Sequence, residues 1–125
     1  MFDSPDPVVI SEIVDVEIAN VLYKANRDGR IDAQGLGERL DAYRNHSADD
    51  GPIGVAPLSR DILDRACRIV LDTDVNTLDA IHIASAQLLN EATDEDVVFL
   101  SLDKKQAVAA EQAGLRVFAI PKETV

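Results

Sequence analysis

Three carboxylates, Glu17, Asp79 and Asp103, are the residues of this chain whose setting suggests chemistry. Asp79 stands in the first turn of a helix that reads apolar almost all round, Leu78-Asp79-Ala80-Ile81-His82-Ile83-Ala84-Ser85-Ala86. Asp103 stands just past the carboxyl end of an apolar run, Val97 to Leu100, where sites form in open α/β sheets. Glu17 lies on a third element and shares a helix face with Ile13, Asn20, Val21 and Lys24. Clustered carboxylates repel one another, and a cation makes such a cluster stable. Oxygen-only ligands suit Mg²⁺ or Mn²⁺. Such an ion can activate water and clamp a phosphodiester for in-line displacement.

Each acid also has a plain structural reading. Glu17 can pair with Lys24, Asp79 can complement the dipole at a helix N-terminus, and Asp103 can cap the helix that begins at Lys104. With 23 Asp and Glu in the chain, the residues alone do not show that these three converge. His82 lies on the Asp79 side of its helix and reads as a core or supporting histidine. His46 sits in a loop. With Cys67 these histidines offer no zinc spacing. Ser59 and Ser101 lack the strand-to-helix elbow of a serine nucleophile.

The elements that must position the acids follow from caps and periodicity. Val8 to Ile10 is a strand stub. Ser11 is placed to cap a helix from about Glu12 to Asn26, which Gly29 stops. Val14, Val16, Ile18, Ala19 and Leu22 make that helix apolar enough to be packed on most sides. Asp32 to Arg44 reads as a second helix, with Leu36, Leu40 and Tyr43 at helical spacing. Ile53 to Leu58 is extended. Ser59 caps a helix from Arg60 to about Leu71, and another runs from Leu78 to about Ala92. Thr93 to Asp96 is an acidic turn. Val97 to Leu100 has the continuous apolar character of a strand buried on both faces. A short helix from Lys104 ends at Gly114, and Leu115 to Ile120 is a last strand closed by Pro121. Helices alternating with short apolar strands predict an α/β fold with a parallel sheet.

The chain has 125 residues, which sets one domain, 1–125, as the expectation. It is 46% hydrophobic but only 4% aromatic, so the core is built of Val, Ile, Leu and Ala. A formal net charge of −11 excludes a basic footprint over the whole surface. A polyanionic substrate then needs metal ions or a local basic strip, for which Lys104 and Lys105 beside Asp103 are candidates. One cysteine excludes an internal disulfide. The sequence holds neither a membrane-span-length apolar run nor a signal-peptide pattern, and the cytoplasm is the expected compartment.

Three segments carry a resemblance. Ser11-Glu12-Ile13-Val14-Asp15-Val16-Glu17-Ile18-Ala19-Asn20-Val21-Leu22 resembles the second acidic motif of the PIN-domain family, which includes the VapC toxins. Leu78 to Ala86 resembles its third motif. Phe99-Leu100-Ser101-Leu102-Asp103, with the Ala-rich helix and Gly114-Leu115-Arg116-Val117 that follow, is similar to its last motif and closing strand. The resemblance implies a three-layer α/β/α fold with a parallel sheet and a metal-dependent ribonuclease. Glu17, Asp79 and Asp103 would be ligands of Mg²⁺ or Mn²⁺, with Ser101 a supporting hydroxyl. RNA would be the substrate, a VapB-type antitoxin the inhibitor, and a homodimer the assembly.

The chain also departs from the pattern. The family begins with a central strand ending in Asp followed by Thr or Ser, and then a helix. Only Phe2-Asp3-Ser4 is similar to the end of that strand, so an N-terminally truncated PIN-like fold is expected. The competing expectation is a catalytically inactive PIN-like protein that acts as a protein-interaction module.

Overall fold

The computed structural model describes residues 7–93 and 96–120. The segment Phe2-Asp3-Ser4, the residues 94 and 95 of the expected acidic turn, and Pro121 lie outside them. The elements in order are β1 (Val8–Ser11), α1 (Val14–Arg27), α2 (Ala33–Ser47), β2 (Ile53–Ala56), α3 (Arg60–Asp72), α4 (Thr77–Ala92), β3 (Val98–Ser101), α5 (Lys104–Gln112) and β4 (Arg116–Ala119). The chain divides between Pro57 and Leu58 into two compact units. Strand pairing is parallel, as expected, in two separate two-stranded sheets: β1 with β2 in the first unit, and β3 with β4 in the second.

In the first unit Val8 lies opposite Ile53 and Ser11 opposite Ala56. Ser11 does not cap α1. It is the last strand residue, and its Oγ accepts the Ile13 N–H at 3.2 Å. A hydroxyl that bonds two residues ahead makes a local turn, and the helix starts only at Val14. Gly29 ends α1 as expected, with φ +78°. The Arg30 N–H reaches the Ala25 carbonyl at 2.9 Å, and the Gly29 N–H reaches that of Asn26 at 3.1 Å. These two bonds satisfy the last carbonyls of the helix. Asp32 caps α2, its Oδ1 accepting the Gly35 N–H at 2.7 Å.

The Tyr43 hydroxyl of α2 donates to Asp15 Oδ1 at 2.7 Å and ties the helical pair together. Burial first, and then this bond to the carboxylate, push the Tyr43 phenol up to about 12. The expected burial of α1 is not found. None of its residues is buried, and Val16, Val21 and Tyr23 are exposed. A helix packed on a single neighbouring helix buries one stripe, whatever its remaining faces carry.

In the second unit, Ser59 caps α3 by accepting the Ile62 N–H, and Asn76 caps α4 by accepting the Asp79 N–H. The two helices pack through Ile62, Ala66, Ile69, Ala80, Ile81, Ile83 and Ala84, all buried. Arg65 braces them from outside. Its guanidinium makes a bidentate pair with Glu91 at 2.6 and 2.7 Å and a third bond to Asp61 at 2.7 Å. The bonds from Arg65 hold the Glu91 carboxyl below its ordinary value.

The crossover from β3 to β4 runs through α5, whose Ala107, Ala109 and Ala110 are buried. Gly114, with φ +91°, closes it, and the Leu115 N–H bonds back to the Ala110 carbonyl at 3.0 Å. The strand β3 is not buried on both faces. Ser101 is buried, whereas Val98, Leu100 and Leu100's ladder partner Phe118 are exposed. In a two-stranded ribbon packed on one helix, alternate side chains point away from the core.

Candidate functional site

Asp79 and Asp103 each sit at the amino end of a helix in the second unit. Asp79 is in the first turn of α4, where the Oδ1 of Asn76 accepts its N–H at 2.9 Å. Asp103 is the N-cap of α5, and its Oδ1 accepts the N–H groups of Lys105 at 2.9 Å and Gln106 at 3.4 Å. Each helix end therefore offers partial positive charge to one carboxylate. The capping reading of Asp103 is correct as far as it goes, since both bonds land on one oxygen.

The two acids are tied together by Gln106. Its Nε2 donates to Asp79 Oδ1 at 3.1 Å, and its Oε1 accepts from the Ser101 hydroxyl at 2.7 Å. Ser101 is 4% exposed. Its Oγ also accepts the Asp103 N–H at 3.1 Å. Ser101 thus bonds the Gln106 side chain and the Asp103 main chain. Gln106 was not among the expected site residues. The Asp103-x-x-Gln106 spacing is the signature of a capping box, and it was the available signal.

His82 is half-buried in α4. Lys105 pairs with Asp74 at 3.1 Å, both side chains being largely exposed. An open groove of about 620 Å³ beside α5 is lined by Leu71, Asp74, Lys104, Lys105 and Val108, among others, and by none of the three acids. Glu17 is half-buried on α1, in the first unit. Among the described residues, no three His, Cys, Asp or Glu side chains form a group that could hold a metal ion.

The PIN-domain family model matches residues 2–112. The chain belongs to the PIN-domain family. The match runs through both compact units and includes Glu17, Asp79 and Asp103. No curated protein and no solved structure gives a significant match. PIN domains are in general divalent-metal-dependent nucleases and commonly bind RNA. The α/β architecture with parallel pairing is that of a PIN-like fold. Gln106 bonds both carboxylates, Asp79 through its side chain and Asp103 through its backbone N–H. Mg²⁺ binds through one or two carboxylates and keeps several waters, and Asp79 and Asp103 carry oxygens of that kind. Among the described residues no helix is long and apolar enough to cross a membrane.

Proposed function

We propose that this PIN protein is a metal-dependent endoribonuclease, a VapC-type toxin of a toxin–antitoxin pair that hydrolyses RNA phosphodiester bonds. The observation that carries this reading is the linkage of Asp79 to Asp103 through Gln106 and Ser101, within a family of nucleases. Asp79 and Asp103 would hold Mg²⁺ or Mn²⁺, and the family resemblance adds Glu17 as a ligand. The chain acts as one PIN domain, as a homodimer in the cytoplasm, and a VapB-like antitoxin restrains it.

When bound, the cation supplies Lewis-acid stabilisation of the phosphodiester and an acidified water. The chain's own contribution is positional. Two carboxylates at two helix N-termini would hold the cation, and hydrogen bonds from backbone and amide N–H groups restrain them. Lys104, next to Asp103, contacts a flanking phosphate. The net charge of −11 makes the cation essential to the approach of RNA.

The test is Mn²⁺ affinity in the full chain, with Asp103→Asn beside wild type. Loss of affinity in a folded variant is expected. Unchanged affinity contradicts the assignment of Asp103. A folded wild type that ignores Mn²⁺ and forms a stable oligomer supports the interaction-module alternative instead.

A further inference from the structure

We propose that Gln106 is the positioning residue of this site: its side-chain amide, oriented by the Ser101 hydroxyl, aims the Asp79 carboxylate at the cation. The inference rests on the metal-site reading above and adds a residue to it.

The orientation of the Gln106 amide follows from its neighbours. An ionised carboxylate only accepts hydrogen bonds, so the amide nitrogen of Gln106 must face Asp79 Oδ1, at 3.1 Å. The amide oxygen must then face Ser101, 2.7 Å away. Ser101 has one proton, with the Gln106 amide oxygen at 2.7 Å and the Asp103 carbonyl at 2.9 Å both placed to accept it. The Ser101 lone pairs are left to accept the Asp103 N–H at 3.1 Å. Burial of Ser101 keeps water from competing for these groups.

The same bonds explain why Gln106 is available. In a capping box the residue at the third helical position turns back to the N-cap N–H. Here Ser101 takes the Asp103 N–H, so the Gln106 side chain reaches across to Asp79, 27 residues upstream. Its backbone N–H meanwhile stays on Asp103 Oδ1 at 3.4 Å. One residue therefore touches both acids, through its side chain and its main chain. Removing the outer partner of a metal ligand typically weakens metal binding roughly 10–100-fold.

The experiment is Mn²⁺ calorimetry on wild type, Gln106→Met and Gln106→Asn, with circular dichroism to confirm folding. Methionine keeps the length and removes the amide; asparagine keeps the amide and falls short of Asp79. Both are expected to bind Mn²⁺ roughly 10–100-fold more weakly than wild type while staying folded. Nuclear magnetic resonance of wild type gives a readout that mere packing would leave still: the Gln106 side-chain amide shifts on addition of Mg²⁺. Wild-type affinity in both variants, or an amide indifferent to Mg²⁺ while wild type binds Mn²⁺, overturns the role of Gln106 and leaves the metal site standing. No Mn²⁺ binding by wild type overturns the metal site and the role of Gln106 together.

Discussion

Replacing Ser101 with alanine removes the hinge of the hydrogen-bonded chain while leaving both carboxylates in place. Ser101 is 4% exposed, accepts the Asp103 N–H at 3.1 Å, and has one proton to donate, with Gln106 Oε1 at 2.7 Å and the Asp103 carbonyl at 2.9 Å as acceptors. A typical intramolecular hydrogen bond contributes about 0.5–1.5 kcal/mol net, so the two together come to about 1–3 kcal/mol. Gln106 is half-buried, and its freed amide oxygen recovers part of its solvation. The expected loss is therefore in the lower half of that range, about 1–2 kcal/mol. Urea unfolding followed by circular dichroism reads it directly as a shift in midpoint at constant slope. For a chain of 125 residues each kcal/mol also lowers the melting temperature by about 4 °C. The cost must depend on Gln106. In a Gln106→Ala background Ser101→Ala should cost less, with a coupling of at least about 0.5 kcal/mol. A Ser101→Ala variant within about 0.5 kcal/mol of wild type, the range of inert surface changes, or strict additivity with Gln106→Ala, would refute the reasoning.

Two further outcomes follow from the structure. Ile83 is fully buried between helices, and Ile83→Ala should destabilise by about 2–5 kcal/mol against about 0.5–1.5 kcal/mol for Ile83→Val; equal effects in urea unfolding would contradict the packing described. The Tyr43 phenol is raised from 10.0 to about 12, so the neutral form is favoured by folding. Its contribution is complete below pH 10 and lost as the pH climbs toward 12; an ultraviolet titration of Tyr23→Phe, which leaves Tyr43 alone, should show a midpoint near 12 that falls in an added Asp15→Ala change.

The parts of this fold legible in the sequence are those set by local chemistry. Ser59, Gly29 and Gly114 each act within four residues of themselves, and the helix ends they mark lie where expected; α2 instead begins after Asp32, which caps it, and runs on to Ser47, so that His46 is helical and not in a loop. Ser11 misleads because a serine that ends a strand has the same composition signal as one that caps a helix. The exposure of α1 and of Leu100 was not legible, since apolar content states what a residue prefers and not which neighbour covers it. Gln106 was hidden for a similar reason. Its D-x-x-Q spacing is local, but its partner Asp79 is 27 residues away. The three acidic motifs in order were sufficient for the family, which the match over residues 2–112 shows.

The most direct measurement is cleavage of an end-labelled single-stranded RNA by the purified full chain, in Mn²⁺ and in EDTA, with Asp79→Ala alongside. Endonucleolytic products in Mn²⁺, absent with EDTA and absent from the folded variant, are the predicted result. Cleavage that persists in EDTA or in Asp79→Ala, or intact RNA with a folded wild type saturated in Mn²⁺, would contradict a metal-dependent ribonuclease built on these carboxylates.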